Sequence, residues 1–189
     1  GELLDQLITL LPPAADDEGN ELDPWEGLPR LAIVGRPNVG KSSITNALFE
    51  EEVSIVTDIA GTTRDTVNQR FAKFGMEFVL LDTAGLRKKV KVHEDLEFYS
   101  NMRTLRTIED SDVCILVIDA TQGIEAQDLA IISVIHKNRK GLVVVVNKWD
   151  LVEKQTQTLE EYKAVVKKRL QPFNDVPIIF TSAVTKQRV

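Results

Sequence analysis

The sequence Gly35-Arg36-Pro37-Asn38-Val39-Gly40-Lys41-Ser42 decides how this chain folds. It follows the apolar run Leu31-Ala32-Ile33-Val34, which is typical of a buried strand, and it precedes residues 43–49, which predict a helix. A glycine-rich loop between strand and helix that ends in Lys-Ser is the pattern of a phosphate-binding loop. Eight residues can match by chance, but the flanking strand and helix disfavour a mere turn with an exposed lysine.

The residue types in this loop suit an anion. Its two glycines let the backbone wrap around phosphates, which then face backbone N–H groups and the positive end of the helix. We expect Lys41 to contact the β- and γ-phosphates and the Ser42 hydroxyl to bind Mg²⁺. The predicted nucleotide contacts in this stretch are Asn38, Val39, Gly40, Lys41, Ser42 and Ser43.

Composition narrows the class of protein. The 189 residues are 43% hydrophobic, which suits one domain of ordinary size. The net charge of −6 disfavours a globally basic nucleic-acid binder but leaves a local basic patch open. A single cysteine, Cys114, lies in an apolar run; it forms no disulfide framework or zinc site and indicates a reducing, cytoplasmic compartment. No apolar run approaches the roughly 20 residues of a membrane span, so no membrane is expected.

The pattern along the chain predicts an α/β fold in residues 28–189, preceded by a helix within 1–13 and an acidic linker at 14–27. Strands and helices alternate from Leu28 onward, which indicates a mostly parallel six-stranded sheet with helices on both faces. The predicted strands are 31–34, 66–74, 77–82, 113–118, 142–147 and 176–181, and the predicted helices are 41–49, 94–109, 125–138 and 158–170. A final helix is missing from the pattern, and the helix predicted at 3–11 could dock in its place.

A second motif, Asp82-Thr83-Ala84-Gly85, follows the predicted strand 77–82. The Asp82 carboxylate could lie across from Ser42 and hold a Mg²⁺-bound water. Gly85 offers a backbone N–H to the γ-phosphate and a hinge that moves when this phosphate leaves. An ordinary strand-end turn is the alternative, and the pairing with the phosphate loop favours a nucleotide contact.

A third motif, Asn147-Lys148-Trp149-Asp150, indicates which base is bound. The Asp150 carboxylate can accept two hydrogen bonds from guanine, at about 1.5–3 kcal/mol each, and adenine offers no such pair. Two such bonds would make the affinity for guanine about two to four decades higher than the affinity for adenine. Asn147 can bond the purine edge and the phosphate loop, the Lys148 stem can lie along the base, and a backbone N–H of Ser182-Ala183 can meet the guanine carbonyl. A polar strand-end loop is the alternative.

These motifs, with the loop Val56–Asp65 that contains Asp58-Ile59-Ala60-Gly61-Thr62-Thr63-Arg64-Asp65, resemble the translation-factor branch of GTPases. The match is closer to the Der (EngA) family of tandem-GTPase ribosome assembly factors. Further stretches that carry this resemblance are 87–92, 97–100 and 103–106. The resemblance covers nearly all of residues 28–189 and suits the second GTPase domain of that family.

The resemblance implies a P-loop GTPase domain that hydrolyses GTP to GDP and phosphate during assembly of the large ribosomal subunit. It implies the large subunit or its rRNA as a partner of the full-length protein. By similarity, residues 1–13 are the last helix of a preceding GTPase domain, and residues 14–27 are the tether. The preceding GTPase domain and a KH-like domain would lie outside this sequence.

The resemblance also implies an unusual catalytic arrangement. Small GTPases place a water-orienting glutamine just after this second motif. Leu86 stands there instead, and none of the eight glutamines lies within 82–95, which leaves a dead enzyme or charge stabilisation from elsewhere. Relatives with asparagine in the loop and a Gly-Thr-Thr-Arg-Asp switch use a bound K⁺. This cation could act where other GTPases use an arginine finger, which raises the hydrolysis rate by about 10³–10⁵. By similarity, K⁺ would be held by Asn38, Thr57, Ile59 and Thr62, Mg²⁺ by Ser42, Thr63 and Asp82, and catalysis would involve Lys41, Thr63 and Gly85.

Two alternatives to an active GTPase remain at this point. The first is a nucleotide-gated scaffold for RNA or the ribosome with negligible hydrolysis, and the second is a P-loop kinase that uses ATP. A kinase would not need Asn147-Lys148-Trp149-Asp150. The basic run Arg87-Lys88-Lys89-Val90-Lys91 is either a solvated loop or a contact with RNA or a neighbouring domain; the resemblance favours a contact.

Overall fold

The computed structural model describes residues 25–50, 68–73, 76–83, 95–153, 158–173 and 175–185. All structural statements below concern these ranges. The predicted helix at 3–11, most of the acidic linker, the loop at 56–65 and the basic run at 87–91 lie outside the described residues.

The described chain alternates strands and helices, as the sequence pattern predicts. The strands are β1 (Arg30–Val34), β2 (Gln69–Lys73), β3 (Met76–Leu80), β4 (Val113–Asp119), β5 (Gly141–Asn147) and β6 (Ile178–Phe180). The helices are α1 (Lys41–Glu50), α2 (Asp95–Asp110), α3 (Ala126–Lys137) and α4 (Thr158–Leu170), with a 3₁₀ turn at Trp149–Leu151.

The strands form one six-stranded sheet in the order β2-β3-β1-β4-β5-β6. Only β2 and β3 pair antiparallel, so the predicted mostly parallel sheet is confirmed. The continuous apolar runs of β4 and β5 lie inside the sheet and the more polar β2 lies at its edge. Strand β6 is shorter than its apolar run because Pro177 has no N–H for the ladder, although its carbonyl accepts from Val144 at 2.9 Å.

Helices pack on both faces of the sheet, and the alternation of side chains along β4 shows how. Cys114, Leu116 and Ile118 join the cluster that contains residues of α2, α3 and α4. Ile115 and Val117 belong to the opposite cluster, which contains Ile44 of α1. The Cys114 thiol is fully buried, and this burial raises its pKa. Within the described ranges, no helix has the length and apolar composition that a bilayer crossing requires.

The parallel strands bring distant polar residues to one edge of the sheet. Asp119 ends β4 directly opposite Asn147, which ends β5. Asp82 follows β3 and Thr181 follows β6, while the loop at 35–40 leaves β1 at the same edge. Ligands of open α/β sheets bind beyond the carboxyl ends of the strands. This edge is therefore the candidate site.

Candidate nucleotide-binding site

The loop between β1 and α1 needs glycine at both ends. At Gly35, with φ of +145°, a Cβ would lie 2.4 Å from the Val117 carbonyl oxygen. At Gly40, with φ of +98°, it would lie 2.2 Å from Asn147 Nδ2. Asn38 also has a positive φ, of 63°, which asparagine tolerates better than most residues, and its side chain is exposed. The backbone thus curls tightly against the sheet and leaves Asn38 facing outward.

Lys41, the first residue of α1, folds back over this loop. Its Nζ donates to the carbonyl oxygens of Gly35 at 2.7 Å and Arg36 at 2.6 Å. An ammonium has three donors, so one remains for a ligand. Burial lowers the pKa of Lys41 to about 8, against the opposing effect of the Asp128 charge. The group is therefore cationic at neutral pH but poorly hydrated, which strengthens its attraction to phosphate.

Arg36 fastens the loop to the start of α3, a role that the sequence did not reveal. Its side chain is buried and donates from Nε to Asp128 at 2.9 Å and from Nη1 to Glu125 at 2.7 Å. Nη1 also meets Gln122 at 3.1 Å. The acceptors lie 86 to 92 positions away in the sequence, so no spacing rule could connect them.

The Asn147 amide joins three segments of the site. It is 2% exposed, and its Nδ2 donates to the Val39 carbonyl in the phosphate loop at 3.0 Å. Its Oδ1 accepts from Ala183 N–H at 3.2 Å and from the Thr181 hydroxyl at 3.4 Å. A backbone N–H of Ser182-Ala183 is expected to meet the guanine carbonyl, and if it is that of Ala183, it would have to exchange its bond to Asn147 for that contact.

Lys148 reaches from the end of β5 to the end of β4. Its Nζ lies 2.6 Å from Oδ2 of Asp119, whose Oδ1 accepts from the N–H and hydroxyl of Thr121 at 2.9 and 2.7 Å. Burial would raise the pKa of Asp119, but the bonds from Lys148 and Thr121 outweigh it and hold this pKa below its usual value. The lysine stem is thereby stretched along the edge where a base would lie. Asp119 was not predicted, although a carboxylate that ends an apolar strand is a usable signal.

Asp150 is exposed and lies in the 3₁₀ turn that Trp149 anchors. Trp149 is 8% exposed and packs against Phe180 and Tyr162, with ring centroids 4.6 and 5.2 Å away. The Tyr162 hydroxyl in turn donates to the Ala120 carbonyl at 2.9 Å. Within the described ranges, no hydrogen bond or ion pair engages the Asp150 carboxylate. The turn is therefore held in place, and the Asp150 carboxylate is available to a ligand.

Ser182, another predicted nucleotide contact, is buried, and its hydroxyl accepts from Thr185 N–H at 3.2 Å.

The predicted magnesium ligands Ser42 and Asp82 lie at the start of α1 and just beyond β3. The Asp82 N–H donates to Asn68 Oδ1 at 3.1 Å, and its carboxylate accepts from Nη2 of Arg103. Among the described residues, no group of three or more His, Cys, Asp or Glu could hold a metal. One carboxylate and one hydroxyl fit Mg²⁺, which takes its remaining ligands from phosphates and water.

The other predicted site residues fall into two groups. Ser43 is exposed at the start of α1, and Thr83 is fully buried after Asp82. The remainder lie outside the described residues, and their roles stay predictions: Thr57, Ile59, Thr62, Thr63, Ala84 and Gly85.

Comparison with known proteins points to one family. The sequence model of a family described as "50S ribosome-binding GTPase" matches residues 30–148. Two curated proteins named GTPase Der match the whole chain: that of Flavobacterium johnsoniae at 57% identity over 189 residues, and that of Phocaeicola vulgatus at 58% over 190 residues. The chain spans 42% of the length of each. These matches confirm the resemblance to the Der family and the prediction of a GTPase domain.

A solved structure gives the same fold. It is described as Era in complex with MgGDPNP and nucleotides 1506–1542 of 16S ribosomal RNA. It aligns with a TM-score of 0.63 at 28% identity, over 84% of this chain and 52% of that one. The predicted P-loop GTPase fold is confirmed.

Gly40→Ala is expected to weaken GDP binding at least tenfold, or about 1.4 kcal/mol. An alanine there meets the Asn147 amide, which three hydrogen bonds hold in place. Gly27→Ala is the matched control, because Gly27 has φ of +81° with no atom within 4 Å of an added Cβ. The control carries only the left-handed strain of about 1–2 kcal/mol. Titration with a fluorescent GDP analogue measures binding, and equal affinities in the two variants would contradict the close contact.

GDP binding is expected to take up protons at pH 8 because of Lys41. With a pKa of about 8, Lys41 is half neutral at this pH, and an adjacent diphosphate raises that pKa by favouring the ammonium. Uptake is therefore about half a proton at pH 8 and small at pH 7, and affinity falls as the pH rises above 8. Calorimetry in two buffers of different ionisation enthalpy measures this. Affinity that rises between pH 7 and pH 8.5 would refute the assignment.

Proposed function

Because this chain belongs to the family of 50S ribosome-binding GTPases, we propose that residues 28–189 bind guanine nucleotide with Mg²⁺, hydrolyse GTP to GDP and phosphate, and act as a switch in large-subunit assembly. The observation that carries the proposal is the 3.0 Å bond from the Asn147 amide to the Val39 carbonyl. It ties the base-reading motif to the phosphate loop, so that one nucleotide spans both.

Guanine is read by Asp150 in this proposal. Its exposed carboxylate lies in the turn that follows Lys148, whose stem runs along the same edge toward Asp119. Guanine offers two adjacent N–H groups to a carboxylate, while the amino group and ring nitrogen of adenine present the wrong pattern. The lysine stem supplies an apolar surface for the face of the base.

The phosphates and the metal are held at the other end of the site. The desolvated ammonium of Lys41 neutralises phosphate charge, and the backbone N–H groups of the loop add to it. Ser42 and Asp82 hold Mg²⁺, with Thr63 as a further ligand. The metal neutralises charge on the phosphates when bound.

Hydrolysis would depend on K⁺ rather than on a glutamine. Leu86 has no polar atom with which to orient water, so charge stabilisation must come from elsewhere. The exposed side chain of Asn38, in a loop residue with φ of 63°, offers an amide oxygen beside the phosphates. Thr57, Ile59 and Thr62 would supply the other oxygens. We retain negligible hydrolysis, with the domain acting as a nucleotide-gated scaffold, as the alternative.

The partner that we propose for the full-length protein is the large ribosomal subunit or its rRNA. The family description names the 50S ribosome, and the related Era structure contains a piece of ribosomal RNA. Since the net charge of this chain is −6, contact with RNA would need a local basic surface, and the run 87–91 is a candidate. With a ribosomal partner, the location that we propose is the cytoplasm.

Asp150→Asn is expected to shift preference from guanine to xanthine nucleotides. The amide replaces one acceptor by a donor, which suits the second carbonyl of xanthine. GDP affinity should fall by about two to four decades, and XDP should bind better than GDP. Competition against a fluorescent nucleotide measures both. Asp175→Asn, an exposed acid on the opposite edge of the sheet, is the control. Unchanged selectivity in the Asp150 variant would remove this residue from the base site.

GTP turnover is expected to be faster in KCl than in NaCl at equal ionic strength. Asn38→Ala should abolish most of the difference, because it removes a K⁺ ligand but leaves Lys41 and Ser42 in place. Single-turnover phosphate release measures the chemical step directly. Equal rates in the two salts would reject the K⁺ proposal, while negligible release in both would favour the scaffold.

A further inference from the structure

The Asp82 carboxylate, the expected magnesium ligand, forms an ion pair with the Arg103 guanidinium of α2. The pair joins the end of β3 to a helix that begins 13 positions later and belongs to neither the phosphate loop nor the base motif. Resting on the proposed function, we propose that Arg103 competes with Mg²⁺ for Asp82 and so sets the magnesium affinity of the nucleotide site.

The backbone of Asp82 is held in place. It has φ of 55°, in the left-handed region that aspartate tolerates better than most residues. Its N–H donates to Asn68 Oδ1 at 3.1 Å, just before β2. A shift of the main chain would cost this hydrogen bond. The Arg103 guanidinium occupies Oδ1 of the carboxylate, so its positive charge stands beside the place where Asp82 would receive a metal cation and opposes that cation.

Arg103 is presented by a helix that is docked on the core. Ile108, one turn further along α2, is 1% exposed in the main cluster, and Thr107 is buried beside it. The Thr107 hydroxyl donates to the Arg103 carbonyl at 2.9 Å. Because the helix is anchored here, the guanidinium stays within reach of Asp82 instead of diffusing on a loop.

The strength of the pair suits competition. The side chains of Asp82 and Arg103 are 16% and 38% exposed, so water screens the attraction and a divalent ion can displace the guanidinium. Binding linkage is reciprocal: Mg²⁺ weakens the hold of Asp82 on α2, and any partner that draws Arg103 away tightens Mg²⁺. The pair thereby couples the position of α2 to the metal.

The test is the Mg²⁺ concentration that half-maximally slows release of a fluorescent GDP analogue from the 189-residue chain. Arg103→Gln should lower this concentration by about twofold to fivefold, as loss of one screened ion pair predicts. Arg106→Gln is the matched control, because Arg106 is exposed on the same helix three residues later. Release in excess chelator should be the same in all three proteins, since no metal competes there.

A second variant, Arg103→Lys, guards against misfolding of the first, which thermal unfolding would reveal. Lysine keeps the positive charge but lacks the two-armed guanidinium. We therefore expect Arg103→Lys to lower the half-maximal Mg²⁺ concentration as Arg103→Gln does, but by a smaller factor. If the proteins all bind GDP and their Mg²⁺ requirements coincide, the competition is refuted while the nucleotide site stands. If wild-type chain binds no guanine nucleotide, the proposed function and this inference both fail.

Discussion

The buried amide of Asn147 is the constraint on which the rest of the site depends. Each of its polar atoms meets a different segment: Nδ2 holds the phosphate loop at Val39, and Oδ1 holds the residues that follow β6. A buried amide left without partners is costly, so the three segments stay in register or the amide loses its bonds. The phosphate and base ends of the site are therefore not separate structures. They share one side chain.

The order of the parallel strands makes this sharing possible. Residues as far apart as 39, 119, 147 and 183 meet because every strand except β2 ends at the same edge. Sequence patterns predicted the parallel strands well, since continuous apolar runs such as Val143–Val146 are typical of buried strands. The short motifs after those strands could also be predicted, because their residue types match a known chemistry.

Long-range polar pairs are what the sequence could not show. The sequence indicated no role for Arg36, yet its side chain bonds Glu125 and Asp128 at the start of α3. Lys148 was expected only to flank a base, and its ammonium meets Asp119. Such pairs depend on side-chain direction in the folded chain, which periodicity does not encode. They also show how an acidic chain holds one buried and one partly exposed cation in place around a site for anions.

A Cβ at position 40 would lie 2.2 Å from Asn147 Nδ2, so the residues at these two positions of distant motifs constrain each other. A larger residue at position 40 would require a smaller one at 147, and that exchange would sacrifice the bonds to Val39, Thr181 and Ala183 together. Neither position can drift alone, and a compensating double change is costly. Asp150, which is exposed, is under no such steric coupling. Substitutions at position 150 could therefore change the base specificity without disturbing the phosphate-binding loop.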